Sequence, residues 1–168
     1  SIVGRPDVPK ETIVVLGGIC FERGIQGNCH LQHLTLRRAK YYGVKGGSSF
    51  TMDDVLVEQC GSGVFASGSG GVGRCTNVEV RQCRGTGVLA RDSGSITLIG
   101  AKTMVHHNCT IGRVTRYGLK VAYGSSSTIQ LVSPLTKEQV SNHNGGGGNW
   151  GADDPYGDGD IHQIKTIA

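Results

Sequence analysis

Between residues 31 and 100 one short phrase is written three times. The copies are Leu34-Thr35-Leu36-Arg37-Arg38-Ala39, Val55-Leu56-Val57-Glu58-Gln59-Cys60 and Val78-Glu79-Val80-Arg81-Gln82-Cys83. Each is followed by a glycine and valine pair: Gly43-Val44, Gly63-Val64, Gly87-Val88. Self-similarity at a period of about 20–25 residues marks a stacked architecture, in which one unit cannot bury its apolar face alone. In each triplet the outer residues are apolar and two apart, the spacing that puts both side chains on one face of a strand. Phe50 and Met52 repeat the places of Cys29 and Leu31, and Cys75 continues that row.

Around this centre the chain divides into an N-terminal arm (1–11), repeat coils (12–132), a glycine-rich acidic loop (133–160) and a terminal strand (161–168), together one domain. Thr12–Leu16, Ser95–Gly100 and Thr128–Val132 read as further strands, and Pro134–Val140 is the one helix candidate. Thr103–Cys109 is a looser copy of the phrase that leaves open whether Asn108 or Cys109 takes the interior place of Cys83.

The 28 glycines suit tight corners between short strands. The six cysteines include no C-x2-C pair, which argues against a tetrahedral zinc site. Cys60 and Cys83 instead fill the same repeated position as Ala39, a packing role for a small, easily buried residue. Free, buried thiols favour an intracellular or organellar setting over a secreted one. The net charge of +4, with no aromatic stacking motif interleaved, gives no support to nucleic-acid binding. No apolar run is long enough to be a transmembrane segment.

The pattern Val-x-Val-x-x-Cys-(x2–3)-Gly-Val at 55–64 and 78–88, with weaker copies at 34–44 and 103–119, resembles the parallel β-helix repeat of the pectin-lyase-like family. The texture is also similar to that of algal β-helix repeat proteins. This resemblance implies an all-β, right-handed parallel β-helix, a solenoid of about six to seven turns. Interior rows Leu34/Val55/Val78, Leu36/Val57/Val80 and Ala39/Cys60/Cys83 would stack along its axis. An outer row Arg37/Glu58/Arg81 would pair opposite charges between rungs.

Enzymes of that fold act on acidic polysaccharides with carboxylates and basic residues, and their motifs are largely missing here. The weak catalytic candidates are Asp53, Asp54 and His107. Asp53-Asp54 reads more simply as a strand-edge corner. His106 and His107 point to opposite faces unless the strand breaks between them. Arg81, Arg84, Arg91, Arg113 and Arg116, with Lys120, form a basic cluster that suits an acidic partner; solvated surface charge is the plain alternative. Asp153, Asp154, Asp158 and Asp160 are weak metal candidates, since they miss the spacing of a calcium loop. Trp150, after four glycines, is either a lid over the open end of the coil or an anchor for a partner. No cofactor is expected.

Two functions follow as expectations. The first is a non-catalytic scaffold or binding module, an accessory subunit meeting protein partners through the arm, the coil ends or the Trp150 loop. The second is a carbohydrate-active protein working on an acidic glycan with Asp53, Asp54, Arg81 and His107 on one face, or a glycan-binding module without turnover that relies on Arg81 or Arg84.

Overall fold

The computed structural model describes residues 1–122, 126–152 and 160–168. Strands β1 (Ile2–Val3), β2 (Val14–Leu16), β3 (Ile19–Phe21), β4 (His30–Arg37), β5 (Tyr42–Gly46) and β6 (Phe50–Glu58) come first. They are followed by β7 (Ser62–Ser67), β8 (Val72–Thr76), β9 (Glu79–Arg81), β10 (Val88–Arg91), β11 (Ser95–Ile99) and β12 (Met104–His106). The last are β13 (Tyr117–Ala122), β14 (Thr128–Val132), β15 (Ser141–Asn142), β16 (Gly148–Ala152) and β17 (Ile164–Ile167). A single-turn helix, α1 (Lys137–Val140), precedes β15, capped by Thr136 and Gln139 acting reciprocally.

The fold is all-β, and its sheets are parallel. A six-stranded sheet runs β16-β13-β10-β7-β5-β3; an eleven-stranded sheet runs β15-β12-β9-β6-β8-β11-β14-β17, with β4 on β6 and both β1 and β2 on β4. The registers match the repeated phrase: Leu36 pairs with Val57 and Val57 with Val80. Leu31, Met52 and Cys75 align in the same way. Leu34, Leu36, Val55, Val57, Val78 and Val80 are all fully buried.

Two rows of left-handed residues shape the larger sheet. His33, Asp54 and Asn77 (φ 51° each) bend the chain ahead of the apolar triplets. Arg38, Gln59, Gln82, His107 and His143 (φ 52–61°) turn it after them. Polar residues such as Asn and His reach this region more readily than β-branched ones. The second row settles the equivalence left open by the sequence: His107 matches Gln82, so Asn108 succeeds Cys83 in the interior. There Asn108 Oδ1 accepts the Cys83 N–H (3.0 Å), and its Nδ2 donates to Val80 O (2.9 Å) and to Asn144 Oδ1 (3.1 Å). The row thus passes from Ala39, Cys60 and Cys83 to Asn108 and Asn144.

The glycine of each Gly-Val pair lies in or beside a strand of the smaller sheet rather than at a corner. A Cβ on Gly63 would collide with Gly87 O and Val80 Cγ1, and one on Gly87 would meet Val105 Cγ1 and Gly118 O. These positions are glycine because the backbone passes directly over an interior valine.

Three expectations need correction. Residues 141–160 are not all loop: β15 pairs with β12 and β16 with β13. The glycines that suggest a loop are there because Gly147 and Gly151 lie against the Tyr117 ring. The terminal strand begins at Ile164, after a 3-10 turn over Ile161–Gln163. All six cysteines are free, but Cys20 is exposed. Cys75 is pushed up to about 12 by burial. Cys83 is raised by its hydrogen bond with Cys60 and by burial.

The two ends of the stack differ. At one, Trp150 pairs with Leu119, packs on the core beneath it, and carries Lys137 Nζ 5.6 Å above its ring. Strands β15, β16 and β17 at that end, and β1, β2 and β3 at the other, each pair on one side only; the second end differs in what it leaves exposed. Leu16 is 72% exposed and Val3 57%. Among the described residues no helix is long and apolar enough to cross a membrane.

Candidate functional site

The sequence candidates do not converge on one place. Asp54 sits at the left-handed bend of β6, where its carboxylate takes Lys10 Nζ (2.7 Å) and His33 Nδ1 (2.6 Å). Burial works to raise its pKa, and the hydrogen bonds from Lys10 and His33 outweigh that, leaving it lowered. His33 in turn is raised, first by its bond to Val8 O and then by Asp54. Asp54 is therefore occupied in tying the N-terminal segment down. Asp53 makes no side-chain hydrogen bond or ion pair with the described residues.

Arg81 belongs to an outward row of the larger sheet. Glu58, only 3% exposed, lies between Arg37 (2.6 Å) and Arg81 (2.8 Å). Arg81 also reaches Glu79 (3.0 Å), which takes His106 Nε2 (3.0 Å). Burial raises the Glu58 pKa, and the bonds from Arg81 and Arg37 more than reverse it, so it is lowered overall. A carboxylate whose pKa is lower folded than unfolded stabilises fully above its unfolded value, about 4.5, and loses that contribution as pH falls through the folded value. Glu58→Gln is expected to cost about 1–3 kcal/mol near neutrality. The gap between wild type and variant should shrink below about pH 4.5, measured as urea midpoints across pH.

His106 and His107 do meet, contrary to the alternation expected of a continuous strand. The left-handed turn at His107 breaks the strand, and the two Nδ1 atoms lie 2.7 Å apart. Arg84 and Arg113 are exposed and enter no ion pair among the described residues. Asp160 caps the 3-10 turn by accepting the His162 N–H. Asp153, Asp154 and Asp158 lie outside the described residues. Among the described residues no group of three or more His, Cys, Asp or Glu is placed to hold a metal ion.

The smaller sheet carries the most developed surface. Its outward row runs Lys45, Phe65, Leu89 and Lys120 in register. Phe65, Leu89 and Ala122 are buried although they face away from the core, forming a second apolar cluster with Tyr42. Tyr42 stacks on Phe65 at 4.7 Å, and the Arg91 guanidinium lies 5.4 Å from the Phe65 ring centroid. Three cavities meet at Tyr42, and the third of them reaches Leu89 and Ala122. One of about 340 Å³ is bounded by Lys40, Tyr42 and Lys45, one of about 200 Å³ by Lys40, Tyr42 and Arg116, and one of about 270 Å³ by Tyr42, Leu89, Arg91, Arg116 and Lys120.

Five basic residues and no acidic one line the groove. Lys120, 7% exposed, donates to Thr115 O (2.7 Å), and Arg91 pairs with Asp92 (2.9 Å). The Arg116 Nε is buried without a hydrogen-bond partner. Of the basic residues singled out from sequence, Arg91, Arg116 and Lys120 come together here. Lys40, Tyr42, Lys45 and Phe65 were missed, although alternation after each Gly-Val pair would have aligned Lys45 with Phe65, Leu89 and Lys120.

Comparison with protein-family models, curated proteins and solved structures finds no match.

Proposed function

We propose that the chain is a right-handed parallel β-helix of about six to seven windings, used as a rigid, non-catalytic module that binds an acidic glycan. Six in-register strands on the smaller sheet and the recurrence of both left-handed corner rows support the coil. The observation that carries the binding function is the groove on the smaller sheet. An aromatic and aliphatic floor suits the apolar face of a sugar ring, and the surrounding cations suit carboxylate or sulfate groups. The absence of acidic side chains from the lining removes charge repulsion against an anionic ligand, which favours its capture.

Titration of the full chain with polygalacturonate and alginate tests this by calorimetry. Arg116→Ala and Tyr42→Ala are each expected to weaken binding at least ~10-fold, the equivalent of about 1.4 kcal/mol. Binding that ignores both changes, or no binding to either polymer at low salt, overturns it.

A protein partner at the N-terminal end is the second reading, favoured by the exposure of Leu16 and Val3 on its one-sided strands β2 and β1. Unpaired strand edges are templates for a further strand. A chain that is indifferent to the polymers but co-purifies with a protein would favour this reading and the accessory-subunit role that goes with it.

A further inference from the structure

Away from the groove, at the corner after β12 and β15, two exposed histidines of successive windings lie one over the other. His106 pairs in register with Asn142, and the next residues, His107 and His143, share the same left-handed turn (φ 54° and 52°). Their rings are parallel within 9°, with centroids 5.3 Å apart.

The neighbours fix the tautomer of both rings. Glu79 Oε1 lies 3.0 Å from His106 Nε2, and a carboxylate only accepts, so that nitrogen carries the proton. In a neutral His106 the Nδ1 is then an acceptor, and His107 Nδ1, 2.7 Å away, must be the donor. That leaves His107 Nε2 as a bare lone pair. On the next winding Asn142 Nδ2 donates to Gln139 O (3.4 Å), which turns Asn142 Oδ1 toward His143 Nδ1 at 2.9 Å. His143 is thereby protonated at Nδ1, and its Nε2 is also bare. Neither Nε2 has a hydrogen-bond partner among the described residues.

We propose that His107 and His143 form a two-imidazole binding site for a divalent transition-metal ion, with water completing its coordination. Neutral imidazole nitrogens are preferred ligands of such ions, and a partner on the other ring nitrogen that fixes the tautomer is the usual support of a ligating histidine. Metal–nitrogen bonds of about 2.0–2.1 Å place two ligating nitrogens roughly 3–4 Å apart, so binding requires the two rings to tilt out of their parallel stack until both in-plane lone pairs meet on one ion. Glu79 and His106 are positioning residues. Cu²⁺ binds most tightly in the divalent series and is the probe of choice.

The test is Cu²⁺ titration of the full chain by calorimetry, with electron paramagnetic resonance of the loaded protein. One ion per chain is expected, with hyperfine coupling to two imidazole nitrogens. His107→Asn and His143→Asn, which keep a residue tolerant of the left-handed turn, should each weaken binding at least ~10-fold. Glu79→Leu, which removes the acceptor at His106 Nε2, should weaken it several-fold and change the His107 ring nitrogen shifts in nuclear magnetic resonance, while the circular dichroism spectrum stays native. Coupling to a single imidazole nitrogen overturns the proposal. So does affinity unchanged by His143→Asn, or the absence of stoichiometric binding in the wild type.

Discussion

Gly63→Ala should destabilise the protein by about 3 kcal/mol or more, enough to remove a large part of the stability of a domain this size. The cause is steric and local. The new methyl would press on Gly87 O of the neighbouring strand and on the Val80 side chain in the interior. The backbone carbonyl cannot yield without breaking the register of β7 with β10, and an overfilled core is costly even where side chains can shift. Chemical denaturation of the purified variant measures this directly. A midpoint indistinguishable from wild type would mean that the strand does not cross the interior at Gly63.

Asn108→Ala should cost about 3 kcal/mol, for a different reason. Its side chain is 1% exposed and satisfies the Cys83 N–H and Val80 C=O while linking to Asn144. Alanine leaves buried backbone groups unpaired, and the desolvation of each is then uncompensated. Asn144 Oδ1 also accepts the Asn108 N–H (3.0 Å), so the two amides act as a unit. The double variant Asn108→Ala/Asn144→Ala should therefore lose less than the sum of the single losses, by at least ~0.5 kcal/mol, in a thermodynamic cycle from urea unfolding. Strict additivity would show that the amides stabilise separate features.

The β-rich class and the interior rows were legible because strand alternation has a period of two and the phrase recurs. Leu36, Val57 and Val80 can be aligned by eye, and the registers agree. The charge row Arg37/Glu58/Arg81 was legible for the same reason. What composition suggests about glycine was less reliable. Gly63, Gly87 and Gly151 look like corners, yet each marks a place where backbone, valine or the Tyr117 ring comes too close for a side chain. The strand at 148–152 was hidden for that reason. Whether the strand breaks between His106 and His107 was left open because the left-handed turn is invisible in the residue itself and emerges only from its equivalence with Gln59 and Gln82.

The groove was legible in fragments. Arg91 and Arg116 stood out as charges, but proximity in sequence grouped them with Arg81, which alternation sends to the other sheet beside Glu58. Tyr42 and Lys40, about fifty residues before Arg91 and about seventy-five before Arg116, join them only because β5, β7, β10 and β13 stand side by side. Such a surface is a property of registry. No local motif encodes it.

The steps between equivalent positions lengthen along the chain, from 21 residues (Arg37 to Glu58) to 23 (Glu58 to Arg81), 25 (Cys83 to Asn108) and 36 (Asn108 to Asn144). Yet the left-handed corner returns unchanged at each step. The architecture therefore gauges angle and not contour length. Surplus residues are shed outward, as at Thr110–Arg116, and that outgrowth supplies Thr115 and Arg116 to the groove wall. New specificity can be grafted onto such a molecule by lengthening one excursion, with the geometry of the pile beneath it left alone.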